Sequence, residues 1–290
     1  MQEAIYLTFL IWLSTFLVGI GSWPISALLF GKLSDKGYSI AKVFGWLAIA
    51  YGTFLVVSFG IASLSIITLS LITLLWGTFN YLVYRKSKVL SKDTIDWKQV
   101  LSIEQSFLVL LGAMLLIKLH DPAIRGIERF MDFGILNSLF SATALPLYDI
   151  WYLGETVNYY YFGHFLGYTI LSLSNIPPLS GFFMLVALLF ALLSINIYRL
   201  GRDFLPLILP QAKLLSSQIA GMFSFFIVML AGSLYMYVWV LEKIQQFFTK
   251  GPEPWFWYPD STRIIPFTIT EMPFYGFLEA DLHPHMWGLL

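Results

Sequence analysis

The sequence has no cysteine among its 290 residues, which excludes disulfides, thiolate metal sites and thiol catalysis. It has little charge. Its 17 basic and 17 acidic residues cancel, so no global field selects nucleic acid as a partner. A Walker loop, a nucleophile elbow and an H-E-x-x-H zinc motif are also absent, and nucleotide-driven transport and zincin proteolysis lose support. No repeat or low-complexity tract stands out. What the chain has instead is apolar length. Apolar residues make up 58% of it, too much for a soluble chain to cover with polar surface. Stretches 41–58, 61–84, 107–119, 181–198 and 219–241 approach the roughly 20 apolar residues that span a bilayer. They are too many and too spread for a cleaved signal peptide. Aromatics, at 18%, suit rings placed at headgroup level.

These features predict an all-α, polytopic transmembrane helical bundle, multi-pass in the cell membrane, with amphipathic interfacial helices in its outer loops. A first helix is expected near 4–20, ended by Gly21, Ser22 and Pro24. Residues 1–101 read as a three-helix transmembrane region and 102–290 as the start of a second membrane domain. Charge is sorted by connection. Segments 31–42, 85–98 and 199–213 hold 11 of the 17 basic residues, and the long stretches 120–158 and 242–285 hold 11 of the 17 acids. The positive-inside rule puts the three basic connections in the cytoplasm, and the two acidic stretches then share the outer face. Segment 156–173 is apolar enough to cross, but a crossing there would separate the acidic stretches. It is short and carries Asn158, His164 and four tyrosines, so an interfacial or re-entrant helix is expected, with a full crossing as the alternative. The apolar run 286–290 begins and stops at once, which reads as a fragment of a longer chain.

Three stretches carry chemistry. In the first, read as a surface helix over 123–138, Asp121, Arg125, Glu128 and Asp132 fall on one face and apolar residues on another. Carboxylates one turn apart can hold a divalent cation or supply a general base; a salt-bridged solvated face has the same spacing. In the second, Tyr159, Tyr160 and Tyr161 precede His164. Their rings suit stacking on sugars or isoprenoid chains, and an interfacial aromatic belt is the plainer reading. In the third, Arg263 can clamp a phosphate, and Asp281, His283 and His285 lie close enough in sequence to bind a metal or shuttle protons. The alternative is a hydrated helix cap.

Glu128-Arg129-Phe130-Met131-Asp132-Phe133 with Leu136-Asn137, Asn158-Tyr159-Tyr160-Tyr161-Phe162-Gly163-His164, Ser261-Thr262-Arg263 with Ile264-Ile265-Pro266, Glu271-Met272-Pro273-Phe274 and Asp281-Leu282-His283-Pro284-His285 together resemble the motifs of the YYY membrane protein family. This is a family of uncharacterised multi-pass proteins named for its triple tyrosine. Its members are longer, so the resemblance implies an N-terminal part whose C-terminal remainder, or a complementing subunit, completes it. The family's layout is similar to GT-C membrane glycosyltransferases, an analogy at fold level. That analogy implies a membrane lipid partner and sugar transfer from a polyprenyl phosphate or diphosphate donor. It implies Asp132, Glu128 and Asp121 as catalytic acids. Tyr159, Tyr160, Tyr161, His164, Arg263 and Glu271 would bind substrate, and a divalent cation (Mg or Mn) would sit on Asp281, His283 and His285. A transporter or flippase of lipid-linked sugar, or a non-catalytic scaffold, are the rival functions.

Overall fold

The computed structural model describes residues 2–87, 90, 95–125, 127–231, 234–251, 265, 267–268 and 273–290. Among these the regular structure is helical. Six helices are long and apolar enough to cross a membrane: α1 (Gln2–Phe30), α2 (Tyr38–Ser58), α3 (Ile66–Ser87), α4 (Trp97–His120), then α7 (Pro178–Ile208), and α8 (Leu214–Phe225) continued by a π-helical turn (Phe226–Ala231). Between α4 and α7 lie α5 (Ile127–Ser141) and α6 (Phe162–Leu173). After the π turn come α9 (Leu234–Lys250), α10 (Pro273–Glu279) and α11 (Pro284–Trp287).

Helix α1 does not stop at Gly21 or Pro24 as its composition suggests. It continues to Phe30 with Pro24 inside it. A proline within a helix removes one rung of the backbone ladder and its ring crowds the turn before it, which loosens the neighbouring rungs, and in a bundle a neighbouring helix can bond a loosened group. Here the buried side chain of Asn80 on α3 accepts from Ile25 N at 3.2 Å, and Trp76 on the same helix donates to Ser22 Oγ at 2.8 Å. The α1–α2 pair packs closely because Gly45 has no side chain: a Cβ there would sit 2.2 Å from Ser22 Oγ. The last span likewise begins earlier than expected, at Leu214 rather than near 219.

The two ends of the bundle are distinguished by contacts. At one end the α1–α2 turn meets α7: Ser34 N donates to Asp203 Oδ2 at 2.8 Å, and Arg199 donates to Ser34 Oγ at 2.8 Å. The Gln99 amide reaches Ser34 in either orientation, which brings the start of α4 to the same end. At the other end Leu64 N, in the α2–α3 turn, donates to Thr143 O in the α5–α6 connection at 2.8 Å. The basic connections therefore gather at one end, and the acidic stretch after α4 lies at the other.

Helix α6 covers most of the ambiguous segment. Its 12 residues extend about 18 Å, well short of the ~30 Å hydrocarbon core. Its first ring, Phe162, packs edge-on against Phe54 of α2 at 5.4 Å. Just past its last residue, Ser174 Oγ shares a hydrogen bond with Ser14 Oγ of α1 at 2.6 Å. After a turn through Asn175 (φ 55°) the chain doubles back as α7, with Gly181 against Leu171. The helix is sheathed in protein, the condition under which a non-crossing segment is tolerated at membrane depth.

Charge does enter the spans. Lys42 of α2 and Glu104 of α4 form a buried ion pair. Glu104 also accepts from Tyr38 Oη at 2.6 Å and Trp12 Nε1 at 3.0 Å, and Lys42 Nζ lies 4.3 Å from the Phe107 ring centre. Three helices are pinned together by one carboxylate.

The charge sorting predicts an orientation. Single cysteines introduced at Leu153, which is fully exposed at the acidic end, and at Lys32 in the first basic turn are expected to label from opposite faces of intact cells, Leu153 from outside. Labelling of both from one side contradicts the topology.

Candidate functional site

The acidic end carries a cluster built from three distant pieces of chain. The first is α5. It begins at Ile127, not at 123, because α4 ends with Asp121 as its cap and 122–125 run in irregular backbone. Asp121 and Arg125 thus leave the helix face predicted for them. They keep an exposed ion pair at 2.8 Å, and the Arg125 hydrogen bond holds the Asp121 carboxyl below its usual range. Within α5, Glu128 is exposed and Asp132, one turn on, is fully buried. Asp132 lies on the packed face with Ile135, Leu136 and Leu139.

The second piece is α6. His164 Nε2 meets Asp132 Oδ1 at 2.8 Å, with 1% and 0% of the two side chains exposed. His164 Nδ1 has no hydrogen-bond partner, so Nε2 carries the proton that is donated.

The third piece is the turn between α10 and α11. Ala280 adopts φ 56°, and Asp281 N returns to Gly276 O at 2.8 Å, a left-handed helix end. Pro284 then occupies the first turn of α11, where its missing N–H is harmless. Trp287 donates to Leu282 O at 3.0 Å and lies over Gly163. A Cβ at 163 would sit 2.4 Å from the indole, so glycine is what admits the turn against α6. Lys118 donates to Leu278 O, and Arg129 Nε donates to Glu279 O at 2.5 Å. These two cations bring the end of α10 to α4 and α5.

The pieces converge on carboxylates. Leu282 N donates to Asp132 Oδ2 at 3.0 Å. His283 Nδ1 lies 3.2 Å from Asp132 Oδ2 and 2.5 Å from Asp281 Oδ1, and His283 N donates to Asp281 Oδ1 at 2.8 Å. His285 Nε2 stands 3.7 Å from Asp281 Oδ2 and is 40% exposed. Burial pushes the Asp132 carboxyl up, but the hydrogen bonds from His164 and His283 outweigh it and hold it low. For His283, burial opposes the charged ring, yet Asp132 and Asp281 raise it to about 11.

Beside this cluster opens a cavity of about 510 Å³ lined by Phe130, Met131, Asp149, Trp151, Asn158 and Tyr159, among others. Tyr159 stacks on Tyr160 at 4.3 Å and meets His283 edge-on at 6.2 Å; burial raises its hydroxyl above the usual tyrosine range. Tyr160 is exposed. Tyr161 turns the other way, near Phe54, and its hydroxyl accepts from Leu147 N at 3.3 Å. The triple tyrosine is therefore split between a cavity wall and packing. A larger cavity, about 750 Å³, opens at the basic end between α4, α7 and α8, remote from these acids and imidazoles.

Of the residues singled out by sequence, the structure gathers Asp132, His164, Asp281 and His283, with Tyr159 and His285 at the edge. Glu128 and Asp121 lie on the solvent side of the same end. Arg263 and Glu271 fall outside the described residues. Sequence reasoning missed Lys118 and Arg129 as the residues that seat the third piece. A lysine one turn from the end of an apolar helix was the available signal for the first.

A family model described as "Uncharacterized membrane protein (DUF2298)" matches residues 44–290. No curated protein and no solved structure matches the chain.

Proposed function

The chain belongs to the DUF2298 family of uncharacterized membrane proteins, so its activity has to be argued from the site, and we propose that it is a membrane-embedded glycosyltransferase-like protein. It would transfer a sugar from a polyprenyl phosphate or diphosphate donor at the outer face. The observation that carries this reading is the meeting of Asp132 with Asp281 and His283, 150 residues on, beside an aromatic cavity at one end of the bundle. Polar groups at a membrane edge are costly unless solvated, paired or bound to a ligand. Rings with hydroxyls beside them suit a sugar or a prenyl chain.

The residues divide the work as follows. The acceptor oxygen attacks the anomeric carbon, and the bond from that carbon to the phosphate oxygen breaks. Of the two α5 acids, Asp132 is buried and holds His164 and the 282 turn, and Glu128, exposed on the solvent side of the same end, is the one placed to take the acceptor's proton. Asp132 and Asp281 hold His283 by Nδ1, so Nε2 is the nitrogen left to donate to the departing phosphate. Arg263 is the further phosphate ligand in this reading. Tyr159 and Trp151 wall the groove for sugar or prenyl chain. A transporter would instead need intramembrane charges along a path. The intramembrane pair Lys42–Glu104 is saturated by Tyr38, Trp12 and Phe107, which speaks for a structural role there.

The test uses the full-length protein reconstituted in lipid with a polyprenyl-linked sugar. Glu128→Gln and His283→Gln are each expected to lower the transfer rate at least about a hundredfold with insertion unchanged. If both variants transfer at the wild-type rate, the residue roles are wrong; if the wild type transfers nothing from either donor class, the reaction is wrong.

A further inference from the structure

Asp132, Asp281 and His283 each offer one ligand atom, and these atoms lie within 4.8 Å of one another. We infer that they hold a single divalent cation of the first transition row, zinc or manganese. This site holds whether or not sugar transfer is the reaction.

Charge is the first argument. Asp132 and Asp281 are 0% and 3% exposed. Among the described residues their side-chain partners are imidazoles, with no lysine or arginine within ion-pair distance. Two carboxylates out of water call for two positive charges; the His283 ring between them supplies one at most, whereas a divalent cation that displaces its Nδ1 proton supplies both from one point. The donor set is the second argument. Two carboxylate oxygens and one imidazole nitrogen suit zinc or manganese, whereas magnesium and calcium prefer oxygen alone.

Spacing is the third. A tetrahedral site with bonds of ~2.1 Å sets its ligand atoms about 3.4 Å apart. Asp132 Oδ2 and His283 Nδ1 already stand 3.2 Å apart. Asp281 Oδ1 is hydrogen-bonded to the same nitrogen at 2.5 Å, so it moves out by about 1 Å when a metal takes the place of the hydrogen between them.

The supporting contacts are of the kind that orient metal ligands. His164 fixes Asp132 through Oδ1, Leu282 N fixes Oδ2, and His283 N fixes Asp281. The sequence pointed to His285 as the third ligand. The geometry gives that place to Asp132, since His285 lies against the other oxygen of Asp281, Oδ2, at 3.7 Å. Three protein ligands leave a fourth position, which in a catalytic metal site goes to water or substrate.

The experiment is direct. The protein in lipid nanodiscs is stripped with a chelator, then titrated with MnCl₂ read by electron paramagnetic resonance and with ZnCl₂ read by calorimetry. One ion per chain is expected. Asp281→Asn and His283→Gln should each weaken binding at least about tenfold, and His164→Ala, acting through Asp132, by about 10–100-fold. Glu3→Gln, at the start of α1, should leave it unchanged. No binding by the wild type overturns the inference, as does binding equal in the wild type and His283→Gln. Saturation by MgCl₂ at lower concentration than either transition metal overturns the choice of ion. Should Asp281→Asn fail to fold by size exclusion, His283→Gln, whose ring is partly exposed, decides. No transfer assay enters, so failure here is separable from failure of the proposed reaction.

Discussion

Glu104→Ala is expected to destabilise the bundle by about 3–5 kcal/mol, because removing one member of a buried ion pair strands the other. Lys42 is 2% exposed and has its ammonium on Glu104. Without that carboxylate its remaining contacts among the described residues are the Phe107 and Tyr38 rings. Tyr38 and Trp12 lose their acceptor as well. The paired change Lys42→Met with Glu104→Leu removes both charges and keeps the volume, and should recover most of the loss. Thermal unfolding in a fixed detergent measures both. A Glu104→Ala chain as stable as wild type would mean that the pair does not join α1, α2 and α4.

Asp132→Ala is expected to destabilise by a similar amount, about 3–5 kcal/mol, since it leaves several donors of a buried charge-assisted network unpaired. The loss has a location. Asp132 is where α5, α6 and the 281–283 turn meet. Its removal leaves Leu282 N without its acceptor and His164 without the group that orients it. Residues 273–290 should then exchange amide hydrogens faster and become sensitive to protease, while α1 to α4 keep their protection. Asp132→Asn is expected to be milder, because the amide oxygen still accepts one of the donors. If protection over 273–290 is the same in Asp132→Ala and wild type, Lys118, Arg129 and the Trp287–Gly163 contact hold the turn without it.

The apolar runs and the sorting of charge by connection were enough to predict an all-α polytopic bundle, to group the basic connections at one end, and to expect that 156–173 does not cross. Those features are legible because hydropathy and loop charge are local properties, readable one segment at a time. Other features were decided only by tertiary contact. Pro24 reads as a helix stop, and becomes a helix interior because Asn80, 55 residues on, accepts from Ile25 N. Glu128 and Asp132 are equivalent by spacing, one turn apart, yet one is exposed and the other has no accessible surface. His285 is nearer to Asp281 in sequence than Asp132 is, but Asp132 shares the His283 ring with it. Helical periodicity tells which residues share a face, and burial depends on what arrives to cover that face. Here the covering piece is the 281–287 turn, brought by Lys118 and Arg129 and admitted by Gly163, and its position is fixed by contacts more than a hundred residues apart in the chain.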